Sequence, residues 1–136
     1  MPVAAKRCAG AARVLLVLAV LVAACEAATA TKSQEDAVRR LLLSYEKAIE
    51  TKDLTLFRSV KPNLSAEEEK RLRKAFESTK THEVTISVEA LDCADGRCLA
   101  RLVRRDTLDG SIVSSFPQTL RLAPAPEGFV IEEIGR

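Results

Sequence analysis

The sequence predicts an α+β domain, three helices followed by a curved sheet of four antiparallel strands. Two observations carry this reading. Apolar residues recur every three or four positions up to about residue 79, and every second position from Val84 onward. The pairs Asp95-Gly96 and Asp109-Gly110, and the stretch Pro124 to Gly128, then punctuate the second half at hairpin spacing. Helices kept apart from strands in this way give an α+β layer arrangement. A length of 136 residues leaves room for one domain.

The first helix opens at Ser33-Gln34-Glu35-Asp36, with Ser33 as its expected cap. Val38, Leu41, Leu42, Tyr45, Ala48 and Ile49 form one apolar face, with Arg39, Arg40, Glu46 and Lys47 largely opposite. Asp53 caps a second, short helix that Pro62 ends. Ser65 and Glu68 form a capping box for a third helix running to about Thr79 or Lys80, with a narrow stripe of Leu72, Ala75 and Phe76. Its early Glu67, Glu68 and Glu69 and later Lys70, Arg71, Arg73 and Lys74 suit the helix dipole.

The first strand alternates Val84, Ile86, Val88 and Ala90 with Thr85, Ser87 and Glu89. Leu99 to Arg105 is the second, residues 111–123 the third and Phe129 to Ile134 the last. On the third, Phe116, Gln118, Leu120 and Leu122 share a face, and Pro117 implies an edge, a bulge or a break. If Asp95-Gly96 is a two-residue turn, Cys93 faces Cys98 as a close, non-hydrogen-bonded pair. That spacing favours a structural disulfide over two free thiols. A metal knuckle fits less well, because His82 is the one soft ligand left to complete it.

The N-terminus reads as an address. Lys6, Arg7 and Arg13 precede an apolar run of 11 residues at 14–24, short of the roughly 20 a spanning helix needs. Basic start, short apolar core and small residues after it make a secretory signal peptide over residues 1–24. Val22-Ala23-Ala24-Cys25 resembles a lipoprotein box with Cys25 lipidated; Ala28-Thr29-Ala30 resembles an ordinary cleavage site. The expectation is an exported protein, a periplasmic or outer-envelope lipoprotein or else a secreted soluble one, with a tether at 25–32 and a domain at 33–136.

Within residues 33–136, "AVRRLLLSYEKAIETKDLTLF", "RCLARLVRRDT" and the closing "EGFVIEEIG" resemble the nuclear transport factor 2-like superfamily, which includes polyketide-cyclase-like and ketosteroid-isomerase-like proteins. Two features depart from it: no strand pair separates the second and third helices, and the usual closing Trp is Phe129. The resemblance implies a cone whose pocket would hold Tyr45, Phe57, Phe76, Phe116 and Gln118. Enzymes of the group set an Asp or His base and a Tyr or acid donor in that pocket, so Tyr45 with Asp106 or His82 is the catalytic alternative.

The bland reading of each residue is the stronger one. Tyr45 is expected as a core aromatic with one buried partner for its hydroxyl. A lone His82 at a strand start reads as a surface residue that no acid is spaced to orient, and Asp106 as free to face either side. Arg101, Arg104, Arg105 and Arg121 read as a solvated face balanced by Glu83 and Glu89. There is no Gly-rich phosphate loop, nucleophile elbow or multi-His metal set, and no cofactor is expected. From Cys25 onward 18 basic residues face 19 acidic ones, which argues against nucleic-acid binding by net charge. The function expected is therefore a module without catalysis, binding an unknown protein partner or a small apolar ligand. A lipid at Cys25 would tie it to a membrane, and a homodimer through the sheet is a further option. The alternative is a small isomerase, cyclase or hydrolase.

Intact mass of the mature protein from an exporting host is expected to start at Cys25 with a lipid adduct, or at Thr31 without one. A mature chain beginning at Met1 would refute export.

Overall fold

The computed structural model describes residues 29–136, so the expected signal peptide, the expected lipidation at Cys25 and the first half of the expected tether, residues 25–28, lie outside the described residues. The order is α1 (Lys32–Glu50), α2 (Leu54–Val60), α3 (Ala66–Ser78), β1 (His82–Ala94), β2 (Arg97–Leu108), β3 (Ser111–Ala125) and β4 (Gly128–Gly135). The strands form one antiparallel sheet in sequence order, β1 and β4 at its edges. The sheet is curved and unclosed, and α1 lies across its concave side against both β1 and β4.

Each helix begins at a side chain able to take up an orphan backbone N–H. On α1 that residue is Thr31 rather than Ser33. Thr31 and Gln34 make a reciprocal capping box, the three-residue spacing that Ser33 lacks. Asp53 caps α2, accepting from the Leu56 N–H at 2.9 Å, and Ser65 with Glu68 boxes α3. Helix α3 stops at Ser78, slightly early, and the Lys52 ammonium donates to the Thr79 carbonyl just beyond it.

The apolar face of α1, Val38, Leu41, Leu42, Tyr45, Ala48 and Ile49, is buried with Ala100, Leu102, Leu120, Leu122 and Ile131 from the inner face of the sheet. Phe57, Val60 and Phe76 complete the core, and Phe129 and Ile134 pack on its margin. Phe116, which shares a face of β3 with Leu120 and Leu122, lies outside this core. It is half-buried, with the Arg136 guanidinium 4.6 Å and that of Arg104 5.8 Å from its ring centre.

Asp95 and Gly96, and Asp109 and Gly110, all have positive φ, the paired left-handed conformation of a tight hairpin. Cys93 and Cys98 face each other across the first turn in a disulfide, with Cα atoms 4.1 Å apart. On β1 the strict alternation fails after Val88, where a bulge at Glu89 shifts the register. An extra residue exchanges the two faces. Leu91 and Cys93 therefore turn toward the core where unbroken alternation would have sent Ala90 and Asp92. All four strands are longer than their apolar runs, and the last turn shrinks to Pro126-Glu127. Pro117 sits on an inner strand, yet β4 pairs with β3 only from Thr119 onward, so Pro117 is locally at an edge.

Gly128 fixes how closely β4 approaches α1. Its φ is +137°, and a Cβ there would stand 3.3 Å from that of Ala37. Gly128→Ala is expected to lower stability by about 1–3 kcal/mol, read by urea unfolding. An unchanged midpoint would show that the helix does not need this approach.

Candidate functional site

The concave side of β2 carries Ala100, Leu102, Arg104 and Asp106 in alternation, the first two fully buried under α1. The same alternation brings the two charged residues inward. Their side chains are only 14% and 12% exposed. Register places Val84 opposite Asp106 and Phe116 opposite Arg104, and sets His82 diagonal to Asp106 at the start of β1. Tyr45 reaches down from α1 onto the same spot.

Four side chains there form one hydrogen-bonded chain. Arg104 Nε and Nη2 donate to Asp106 Oδ1 and Oδ2 at 2.6 and 2.7 Å, a two-pronged pair. Arg104 Nη1 donates to the Tyr45 hydroxyl at 2.7 Å. His82 Nε2 donates to Asp106 Oδ2 at 2.9 Å, from a side chain 10% exposed. The Arg104 guanidinium also lies 5.6 Å from the Tyr45 ring centre, and Tyr45 meets Phe57 at 5.8 Å between ring centres.

Burial pushes the Asp106 carboxyl up, but the hydrogen bonds and charge of Arg104, joined by His82, outweigh it and hold it below the ordinary value. Burial would likewise lower Arg104, but Asp106 and Tyr45 hold it above its ordinary range, so both members stay charged. An ionised carboxylate with a depressed pKa is a weak general base. His82 Nδ1, on the far side of the ring, is buried and has no partner among the described residues, and Gln118 Oε1 is in the same condition.

Two sequence readings, those of His82 and Arg104, are corrected here, and Asp106, left open, takes one side. His82 is not a surface residue: Asp106, 24 positions away, orients it through the sheet register. Asp106 faces the interior. Arg104 does not belong to the solvated stripe, because it is two residues from Leu102 and shares its face. Arg101 and Arg121 are on the exposed side, but they lie near Asp92 and Glu133 rather than Glu83 and Glu89. Tyr45 is 1% exposed and has its one hydroxyl partner. The signal that could have found the cluster is the inward alternation Ala100-Leu102-Arg104-Asp106, which the half-buried Leu99 and Val103 obscure.

The five residues expected to line a pocket do not line either of the two clefts described. One of about 370 Å³ lies between α1 and β1, bounded by Glu35, Val38, Leu42, Leu43, Glu46 and Val88 among others. A second, about 580 Å³, lies where Arg40 and Leu41 of α1 face Val60 of α2 and Pro126 and Phe129 of the last hairpin. Tyr45, Phe57, Phe76 and Gln118 are instead buried in packing. Among the described residues no three His, Cys, Asp or Glu side chains cluster as metal ligands, and no helix is long and apolar enough to cross a membrane.

No protein-family model matches the sequence, and no curated protein matches it. Solved structures do match in shape. Bd1075 of Bdellovibrio bacteriovorus superposes with a TM-score of 0.62 at 14% identity over 77% of this chain, which spans 42% of that longer protein. A designed nuclear transport factor 2-like protein gives 0.59 at 14% identity, over 74% of this chain and 96% of its own. A protein of unknown function from Shewanella baltica, described as nuclear transport factor 2-like, gives 0.54 at 13% identity, over 78% and 94%. At these identities the likeness is one of fold, and the fold is nuclear transport factor 2-like.

Asp106→Asn leaves a buried guanidinium without its counter-charge and is expected to cost about 3–5 kcal/mol. Because the folded pKa of Asp106 lies below the ordinary 3.8, its contribution is complete above that value. It drains away as pH falls through the folded pKa. The stability gap between wild type and the variant, from urea unfolding, should therefore be full at pH 7 and narrow below about pH 3.8. A gap independent of pH would refute the assignment.

Proposed function

We propose that this domain is an exported, non-catalytic binding module whose ligand is a protein partner met on its outer surface. The observation that carries this reading is the closure of the cone interior. The Tyr45 hydroxyl, the Asp106 carboxylate and the Arg104 guanidinium satisfy one another beneath α1, leaving Tyr45 with 1% exposure. A general acid or base has to come within hydrogen-bond reach of the substrate atom it serves. Here the Tyr45 hydroxyl is taken up by Arg104, and His82 Nδ1 is buried away from solvent. Buried polar groups satisfied in this way specify a packing arrangement. Apolar surface open to solvent lies outside the cone, at Leu43 and Val88 in the groove between α1 and β1. The Cys93–Cys98 bond supports an oxidising compartment, which agrees with the basic and apolar leader at 1–24. Tethering through a lipidated Cys25 belongs to the same proposal.

The test is complementation in cells of the source organism lacking the gene. Tyr45→Phe and His82→Ala are expected to restore the wild-type phenotype at matched protein level, since no proton is transferred. Loss of a general acid or base costs a factor of roughly 10²–10⁴ in rate. If either variant folds with an unchanged melting profile yet fails to complement, the chain is a pocket enzyme and the module reading is wrong.

A further inference from the structure

The groove between α1 and β1 combines an apolar floor with an acidic margin. Val38, Leu42, Ile86 and Leu91 form its buried and half-buried lining, and Leu43 and Val88 stand 58% and 47% exposed in it. Glu35 and Glu46 lie along it, and Glu50 follows Glu46 one turn later on α1. None of these three acids forms an ion pair among the described residues, while Arg39, the basic residue of the lining, approaches Asp36 at 3.9 Å. Burial first, and the charge of Glu50 second, hold the Glu46 carboxyl above its ordinary value, partly offset by the Ile86 backbone N–H. A cation placed beside Glu46 would relieve that repulsion.

The edge of β1 is poorly suited to accept another strand. The Val84 N–H already donates to Glu50 Oε2 at 3.3 Å, and the bulge at Glu89 interrupts the ladder five residues on. Bulges and occupied N–H groups are the devices that keep sheet edges from pairing. Recognition in this groove therefore falls to side chains. From Glu35 to Glu46 the helix side is about 16 Å long, the rise of three helical turns. On the strand side, Ile86 to Leu91 spans about the same distance.

We infer that this groove docks an amphipathic helical segment of a partner protein, with its apolar face on Leu43 and Val88 and Lys or Arg residues beside Glu35, Glu46 and Glu50. This deepens the module reading and rests on it. An anionic lipid surface would be repelled by the same acids, and a two-fold contact between copies would set like charges against one another.

The experiment titrates the purified protein against two synthetic helical peptides with Leu at i, i+3, i+4 and i+7, one flanked by Lys and the other by Glu, using fluorescence anisotropy. The Lys-flanked peptide is expected to bind, and the Glu-flanked one to bind at least about tenfold more weakly. Leu43→Asp and Val88→Asp should each weaken binding by about tenfold or more with unchanged melting profiles, because both side chains are exposed in the free protein. Equal affinity for both peptides would overturn the proposal, as would no binding at about 1 mM peptide, or wild-type affinity in both variants. Self-association abolished by the same substitutions would assign the groove to a second copy and also overturn it. None of these failures bears on catalysis, which the Tyr45→Phe and His82→Ala variants decide separately.

Discussion

A guanidinium held under a helix in the middle of a small domain has to be neutralised where it sits, and much of this structure follows from that requirement. Arg104 cannot lose its proton at any accessible pH and cannot reach bulk water from beneath Tyr45. Asp106, two residues along the same strand, supplies the counter-charge in a planar two-pronged arrangement. That leaves one Nη for the Tyr45 hydroxyl, which fixes the helix against the sheet, and one lone-pair direction on Asp106 for His82, which fixes the start of β1. Buried ionic clusters often add no more net stability than apolar packing of equal volume. What this one supplies is position: α1, β1 and β2 meet in one hydrogen-bonded arrangement, and a slipped register would leave buried charge unpaired.

The same chemistry engages the residue types that enzymes of the superfamily use. Tyr45, Asp106 and His82 meet beneath α1, linked through Arg104. The charge of Arg104 depresses the Asp106 pKa, and its third contact occupies the Tyr45 hydroxyl. In the proposed reading, the arginine makes this group a structural tie.

The elements were legible because their periods are written in local sequence. The α1 face from Val38 to Ile49, the capping box at Ser65 and Glu68, and the Asp-Gly turns each depend on residues within a few positions of one another. The disulfide was legible for the same reason, since two strands joined by a two-residue turn have one register. The interior cluster was not. His82 and Asp106 meet across a sheet pairing 24 residues long in sequence, and Arg104 stands in a run, Arg101, Arg104 and Arg105, that resembles a solvated stripe. Half-buried residues on both faces of β2 left its inward side ambiguous, and the Glu89 bulge exchanged the faces of β1 midway. Phe116 was misplaced because alternation on β3 identifies a face but not where β4 stops covering it; β4 pairing ends at Thr119, leaving Phe116 to guanidinium groups instead of apolar neighbours.

The two features that pin the first hairpin also bear on its outer surface. The Cys93–Cys98 bond closes its turn end, and the His82–Asp106–Arg104 contacts close its open end. Between them lies the segment Ile86 to Leu91, which carries the bulge and forms the strand wall of the groove beside α1. A hairpin tied at both ends cannot slide, so the spacing between Val88 on the strand and Leu43 on the helix is set before any partner arrives. Binding to a surface already in its bound geometry loses less to ordering, and a shallow groove with few anchors depends on that saving more than a deep pocket would. The buried polar tie and the short disulfide loop, neither of which touches a ligand in this reading, are what hold the exposed leucine and valine in place.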